Sequence, residues 1–270
     1  MRTALLRGRE HTLLGGISAI AEGPAAIAIS RGGAAKTYAY RDPNEDAAAF
    51  ATSPFASVVA VADGHSGHGA AEIALDRLLD AHAAAWLERT AHDLAARWVD
   101  AAVDVLVDLN TTVLNESAAE RSADGARTTL SLLLARPGDD CLAYFSVGDS
   151  HIFAVDDAGA HEVAAARSPR VGFLGRPSDD RAALRRKLRA GVAQIETLRA
   201  VVLATDGLSE PGIGVADPGA AVAEIALRCA RGAPDLRPLE LARGIVETAL
   251  ASHRAQRSGD NVATAVVWIR

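Results

Sequence analysis

Val58-Val59-Ala60-Val61-Ala62-Asp63-Gly64-His65-Ser66-Gly67-His68-Gly69 is the stretch from which the rest of the chain can be read. An apolar run reads as a buried strand, and it ends on a carboxylate, a glycine and a histidine where the strand must turn. A carboxylate at a strand end projects from a rigid edge without sinking a bare charge into the core. Gly64 lets the backbone approach whatever that carboxylate binds, and its carbonyl is a further hard oxygen ligand. His65 can carry a proton beside it. In isolation the same residues read equally as an Asp63 that caps the next helix beside solvated histidines.

The pattern recurs. Cys141 to Val147 runs into Gly148-Asp149-Ser150, and Val201 to Thr205 runs into Asp206-Gly207. Ser258-Gly259-Asp260-Asn261 precedes the strand-like Val262 to Trp268, and Asn44-Glu45-Asp46 precedes Ala47 to Phe50. Carboxylates gathered at sheet ends repel one another by several kcal/mol at an effective dielectric of ~20, so a fold that assembles them needs counter-cations. All-oxygen ligands suit Mg²⁺ or Mn²⁺ rather than Zn²⁺ or copper. The plainer alternative makes each aspartate an independent turn residue.

With these motifs in their order, the chain resembles the metal-dependent serine/threonine protein phosphatases of the type 2C (PPM) family, as a bacterial-type single-domain member. The resemblance runs from about Arg41 to Trp268. It rests on Arg41-x-x-Asn-Glu-Asp46, Asp63-Gly-His-x-Gly-His68, Thr128-Thr129, Val147-Gly-Asp-Ser150, Asp206-Gly-Leu208 and Asp260-Asn261. It implies a binuclear Mn²⁺ or Mg²⁺ centre in which Asp63 bridges both ions. Asp206 and Asp260 bind the first, and Glu45 and the Gly64 carbonyl bind the second. It further implies that Asp46 orients water, that Arg41 clamps the substrate phosphate and that His65 is the general acid. Asp149, with Asp206 and Glu210, marks a third, weaker metal site. Three positions depart from the family pattern: Ser66 replaces a glycine, His151 replaces a frequent arginine, and Glu210 replaces an aspartate. The last puts the third metal in question.

The implied roles agree with the chemistry. A metal pair lowers the pKa of bridging water and spans both sides of an in-line displacement. A Ser/Thr alkoxide is a basic leaving group that a proton donor such as His65 helps by about 10²–10⁴-fold. A guanidinium matches phosphate oxygens bidentately.

Composition bounds the alternatives. At 270 residues with 49% apolar content the chain can bury a full core. A formal charge of −6, with three Trp, three Tyr and five Phe, argues against nucleic acid as a partner. Cys141 and Cys229 read as small core residues in a reducing compartment. They also speak against thiol phosphatase chemistry, because Val147 and Asp235 stand where that chemistry wants arginine. Residues Met1 to Glu10 lack an apolar signal core and a cleavage site. No apolar stretch reaches ~18 residues. Both point to a freestanding, cytoplasmic protein without a membrane partner.

The coarse pass places strands near Ala25–Ser30, Ala47–Ala51 and Ser57–Ala62, then helices over roughly Gly69–Arg89 and Ala91–Arg121. Leu75, Leu78, Leu79, His82 and Trp86 share one helical face; Trp98, Val99, Ala102, Val105, Leu106 and Leu109 share another. Strands return at Thr128–Ala135, Cys141–Val147, Ile152–Val155, His161–Ala164 and Ala200–Thr205. Helices near Ala220–Arg231 and Pro238–Arg254 precede the last strand. Helices inserted as a block among hairpin-linked strands fit layered α+β packing. The resemblance sharpens this to a four-layer α-β-β-α sandwich with two mostly antiparallel sheets and the metals in a cleft at one end. Residues 1–270 form one phosphatase domain on this reading. Residues 165–199 form a surface flap of loop and one short helix.

Lesser positions leave two readings each. His68 is a structural neighbour of the site or a ligand. Thr128 and Thr129 are β-branched strand residues or hydroxyls supporting the site. Asn261 steadies the Asp260 loop or is a plain turn residue. Arg185-Arg186-Lys187 is a solvated helix face or an electrostatic guide for phosphorylated segments.

The expected activity is hydrolysis of phosphoserine and phosphothreonine monoesters in protein substrates, set against a Ser/Thr kinase pathway, by attack of a hydroxide bridging two ions and without a phosphoenzyme. One rival is a catalytically silent relative acting as a scaffold. Another keeps the enzyme but changes the substrate, to phosphorylated anti-sigma-factor antagonists or a small phosphate ester.

Overall fold

The computed structural model describes residues 1–119, 125–163 and 171–270. In chain order the strands are β1 (Arg2–Arg7), β2 (Ser18–Glu22), β3 (Ala25–Ser30), β4 (Ala47–Thr52), β5 (Ser57–Ala62), β6 (Gly64–His65), β7 (Arg127–Thr128), β8 (Leu130–Arg136), β9 (Cys141–Val147), β10 (His151–Val155), β11 (Ala160–Glu162), β12 (Arg189–Ala193), β13 (Ala200–Ala204) and β14 (Val262–Trp268). The α-helices are α1 (Gly69–Arg77), α2 (Ala84–Glu88), α3 (Ala91–Ala119), α4 (Arg181–Lys187), α5 (Pro218–Cys229) and α6 (Arg237–Gln256).

Two six-stranded sheets stack face to face. Their strand orders are β1-β4-β5-β8-β9-β12 and β11-β10-β13-β14-β3-β2, and a ribbon pairs β6 with β7. Every strand pairing among the described residues is antiparallel. The period of two along each strand explains the layers. In β5, Val59 and Val61 point between the sheets with Phe50, Leu133, Ile27, Leu203 and Val267. Val58, Ala60 and Ala62 point outward onto Leu75, Trp86, Trp98 and Leu106 of the first helical layer. On the opposite outer face, Ala204 and Val266 meet Ile225, Leu241 and Ile245 of α5 and α6. Both faces of each central strand are thus buried, which is why these segments read as unbroken apolar runs. The α-β-β-α sandwich is the expected one.

Register carries the functional consequence. In an antiparallel pair, the end of one strand lies beside the start of the next. Ala62 at the end of β5 faces Ala47 at the start of β4, and Val147 at the end of β9 faces Leu130 at the start of β8. In the other sheet, Ala204 at the end of β13 faces Thr264 near the start of β14, and His151 at the start of β10. Residues just outside these strands, Glu45, Asp46, Asp63, Asp149, Asp206 and Asp260, therefore emerge at one end of the sandwich.

Some details differ from expectation. The helix predicted over Gly69–Arg89 is interrupted by a π-helical stretch, Leu78–Ala83, which shifts the buried face. Trp86 and Leu87 are buried there, whereas Leu79 and His82 are only half-buried. In α3, Val99 is 40% exposed, and Leu94 and Val103 take the buried positions. Trp98 holds the helix to the sheet by donating from Nε1 to the Tyr144 carbonyl at 2.7 Å. Residues 165–170 of the predicted flap, including Ser168-Pro169-Arg170, lie outside the described residues, as does residue 164 at the end of the predicted strand His161–Ala164. The rest of the flap contains the expected short helix, α4, but also β12, which extends the first sheet by pairing with β9. Cys141 and Cys229 are both buried, and burial pushes both thiols up.

Candidate active site

The strand ends open into a cleft of about 680 Å³ lined by Arg41, Glu45, Asp63, Gly64, His65, Asp206, Glu210 and Asp260, with Lys36, Tyr38, Tyr40 and Arg127 at its walls. Eight residues singled out in the sequence thus face one cavity. Asp46 lies beneath it, 1% exposed. Asp149 approaches from the β9 turn: one carboxylate oxygen from each of Asp63, Asp149 and Asp206 lies within 4.8 Å of the others.

Hydrogen bonds to backbone, more than to side-chain oxygens, fix this floor. The Asp63 carbonyl accepts from Thr129 N at 2.9 Å, with Thr128 Oγ1 2.9 Å away, and Asp63 N donates to Thr129 Oγ1 at 3.1 Å. The two threonine hydroxyls therefore support the site, and their strand position alone does not describe them. Asn261 Oδ1 accepts from Glu45 N at 2.9 Å, while its Nδ2 donates to the Arg31 and Pro43 carbonyls at 3.0 and 2.9 Å. One amide thus ties the Asp260 turn to the Glu45 turn. Thr205 Oγ1 donates to Asp46 Oδ2 at 2.7 Å. His253, fully buried on α6, accepts from Gly33 N at 3.2 Å and lies 2.8 Å from the Gly207 carbonyl, holding the turn that carries Asp206.

Close backbone approach explains the glycines beside the acids. A Cβ on Gly64 would lie 2.4 Å from the Glu45 carbonyl oxygen, and one on Gly207 would lie 1.8 Å from that of Asn261. Neither position accepts a side chain.

Glu45 divides its labour. Its Oε1 accepts from the amides of Arg41, Asp42 and Gly67 at 3.2, 3.2 and 2.7 Å, leaving Oε2 toward the cleft. Arg41 is thereby set at the mouth by its own backbone. His68 does not reach the carboxylates of the floor; its Nδ1 pairs with Asp42 at 2.8 Å, so it belongs to the scaffold of the turn. His65 Nε2 lies 3.4 Å from Asp63 Oδ2, outside hydrogen-bond geometry, and its ring meets Phe173 edge-on at 4.6 Å. His151, in the place of a common arginine, bridges Ser209 Oγ at 2.6 Å and Glu162 at 2.8 Å, linking the Asp149 and Asp206 turns. Arg185 pairs with Asp100 at 2.6 Å, Arg181 with Asp104, and Lys187 with Asp179. Within the basic run, Arg185 and Lys187 are thus neutralised by Asp100 and Asp179, which favours the solvated-face reading over the guide.

The electrostatics carry the strain of this assembly. Burial raises the carboxyls of Asp46 and Asp206 well above the usual range, and Asp63 and Asp260 push both further. Burial also raises Asp149 and Glu210, with Asp63 adding to both and Asp260 to Glu210. Burial opposes the charge on His65, but the neighbouring Asp63 outweighs it and the imidazole is raised. Asp149 Oδ1 is buried with no hydrogen-bond partner. An all-oxygen cluster with an orphaned carboxylate oxygen fits hard divalent cations.

Sequence reading missed Lys36, Arg127 and Phe173. Arg127 stacks on Phe173 at 4.8 Å and sits opposite His65 in the β6–β7 ribbon. Its one signal was adjacency to Thr128.

The family model for Protein phosphatase 2C matches residues 35–235. No sequence among curated proteins matches the chain. Among solved structures, the chain is similar to a bacterial serine phosphatase (16% identity, 92% of this chain and 98% of that one, TM-score 0.66). It is likewise similar to a serine/threonine phosphatase from Staphylococcus aureus (15%, 93% and 96%, TM-score 0.65). A third is the catalytic domain of the phosphatase PstP in complex with two manganese ions (21%, 94% and 99%, TM-score 0.60). Among the described residues, no helix is long and apolar enough to cross a membrane.

Proposed function

The chain belongs to the protein phosphatase 2C family, and from that premise we propose that it hydrolyses phosphoserine and phosphothreonine in proteins with two divalent ions, Mn²⁺ or Mg²⁺, held in this cleft. One observation carries the mechanism: carboxylates from separate stretches of the chain share one cavity, where burial, with Asp63 and Asp260 adding to it, raises Asp46 and Asp206. Asp63, Asp206 and Asp260 would hold one ion, and Asp63, Glu45 and the Gly64 carbonyl the other. Asp149 with Asp206, and Glu210 more remotely, would take a third. When bound, such ions supply hydroxide near neutral pH and offset the charge of the phosphoryl group in an in-line displacement.

The chain's own groups do the rest. Arg41, at the mouth, grips phosphate oxygens with its fork of donors. Asp46, buried below and fixed by Thr205, accepts a hydrogen bond from the attacking water and aims it. His65, its proton affinity raised beside Asp63, gives a proton to the departing alkoxide. Water attacks phosphorus directly, so no phosphoenzyme forms. Residues 1–270 act as one phosphatase domain with 165–199 as its flap, opposing a Ser/Thr kinase.

The test is hydrolysis of a phosphothreonine peptide with Mn²⁺ or Mg²⁺ and after chelation. Turnover should vanish with EDTA and return with added metal. Full turnover in EDTA would end the metal reading.

A further inference from the structure

The carboxylate floor is not evenly charged. Around Asp63, Asp149 and Asp206 three oxygens converge. At the other side an ammonium already stands among the acids: Lys36 Nζ lies 3.1 Å from Asp260 Oδ1 and 3.9 Å from Glu45 Oε2. The Lys36 side chain is only 7% exposed. The rings of Tyr38 and Tyr40 flank it, with centroids 5.3 and 5.7 Å from Nζ. Residues 36, 38 and 40 lie in the irregular segment between β3 and β4, and all three line the cleft.

Stripping an ammonium of water is costly unless other charges offset the loss. Here two carboxylates and two aromatic faces do so, and the same carboxylates are the ones assigned to divalent ions. An ammonium and a metal ion within ~4 Å of shared oxygens repel each other strongly. Lysine is also suited to leave, since its charge rides on a flexible four-carbon stem. Burial opposes the charge on Lys36, but Asp260, Asp46 and Glu45 together outweigh it.

We propose that Lys36 is a resident counter-cation of this cleft, competing with divalent metal for Asp260 and Glu45 and withdrawing when the centre is fully loaded. The Asp63–Asp149–Asp206 side stays clear of the ammonium, whereas each ion of the pair, which needs Asp260 or Glu45, loads only by displacing it. Full loading becomes dependent on metal concentration, and the metal-free protein keeps its acids partly neutralised. This inference rests on the metal reading above, and its test separates the two.

Mn²⁺ binding is measured by titration calorimetry on the wild type, Lys36→Met and Lys36→Arg, with the melting temperature of each metal-free protein. In the wild type, the ions that need Asp260 or Glu45 should bind as a weak class of site, because each must displace the ammonium. Lys36→Met should tighten the weak class by roughly tenfold or more and lower the metal-free melting temperature. Lys36→Arg, which keeps the charge, should resemble the wild type. A wild-type reading that needs no variant is acetylation of Lys36 followed by mass spectrometry. It should be slow without metal and accelerate as the weak class fills. Superimposable isotherms for wild type and Lys36→Met, a Lys36→Arg that behaves like Lys36→Met, or Lys36 acetylation indifferent to Mn²⁺ would each overturn the proposal. If neither wild type nor Lys36→Met takes up Mn²⁺, the metal reading itself falls.

Discussion

The floor of the cleft and its rim are built on different principles. The floor consists of acids placed by strand register and then fixed by buried hydrogen bonds from Thr128, Thr129, Thr205, Asn261 and His253. The rim consists of the Lys36–Arg41 segment and the His65–His68 turn, which lack long-range sheet pairing apart from the short β6 ribbon. There Tyr38 and Tyr40 are more than 40% exposed. The contrast teaches that charge concentration is tolerated only where the backbone cannot yield, while recognition and proton transfer are left to side chains with freedom to move.

If that division is right, changes to the floor abolish chemistry and changes to the rim tune it. The largest effect is expected for Asp63→Asn, which keeps size and removes charge at the centre of the cluster. Phosphopeptide kcat/KM should fall by at least about 10³ with loss of Mn²⁺ uptake, because metal-assisted stabilisation is worth several kcal/mol. Retained turnover would move the centre elsewhere. His65→Gln comes next. With a basic Ser/Thr leaving group it should cost about 10²–10⁴-fold, and with p-nitrophenyl phosphate, whose leaving group needs no proton, far less. The protonated imidazole is the working form, so phosphopeptide turnover should decline as pH rises through its elevated pKa. The variant should lose that limb. Equal losses on both substrates would make His65 a positioning group.

Asn261→Ala tests whether hydrogen bonds fix the floor. It removes three bonds that join two acidic turns and should destabilise by about 2–4 kcal/mol in thermal or urea unfolding. A cost near zero would mean that strand register alone suffices. The floor also predicts an unusual pH response without metal. Asp46, Asp206, Asp149 and Glu210 have raised native pKa values. Between the ordinary carboxyl value near ~4 and those raised values, the native state binds more protons than the unfolded chain. Stability of the metal-free protein should therefore rise as pH is lowered from 8 into that window and level off below it. Mn²⁺ should offset the loss at high pH. A metal-free protein that gains stability as pH rises would contradict the repulsion.

The same division decides what the sequence could reveal. An apolar run that starts or stops beside an acid is a local signature, so Asp63, Asp149, Asp206 and Asp260 were legible, as were β3, β5, β9 and β14 almost to the residue. Register then follows from hairpin connection. Strands β1 and β2 lie at sheet edges with half-exposed or exposed residues apart from the buried Leu6, and β12 contains a glycine and little apolar alternation. Pairing with a neighbour makes them strands, and a single segment does not encode its neighbour. The threonine hydroxyls and Asn261 were visible as candidates, but their choice of role depends on backbone two or more turns away. Lys36 carried no signal: one lysine in a run of glycine, alanine and tyrosine becomes notable only when the fold turns it inward.

The smallest effect is expected at Ser66, and it tests the rim on its own terms. Ser66 has φ of 67°, the left-handed region that costs an L-residue about 1–2 kcal/mol. The family pattern puts glycine there, and the strain supplies the reason. Replacing Ser66 with glycine relieves that strain but loosens the unfolded chain by about 0.4–1 kcal/mol, so the net gain is at most about 1 kcal/mol. For a chain this long that is a rise of roughly 2 °C or less in Tm. Ser66→Val, whose branched Cβ resists this conformation, should lower Tm by a similar or larger amount. The turn tethers His65 and, through Gly67, Glu45. Ser66→Val should therefore also weaken Mn²⁺ binding, while Ser66→Gly leaves it near the wild-type value. If valine is tolerated at no cost in either measurement, the turn is not held in the left-handed conformation, and the rim constrains the floor less than its hydrogen bonds imply.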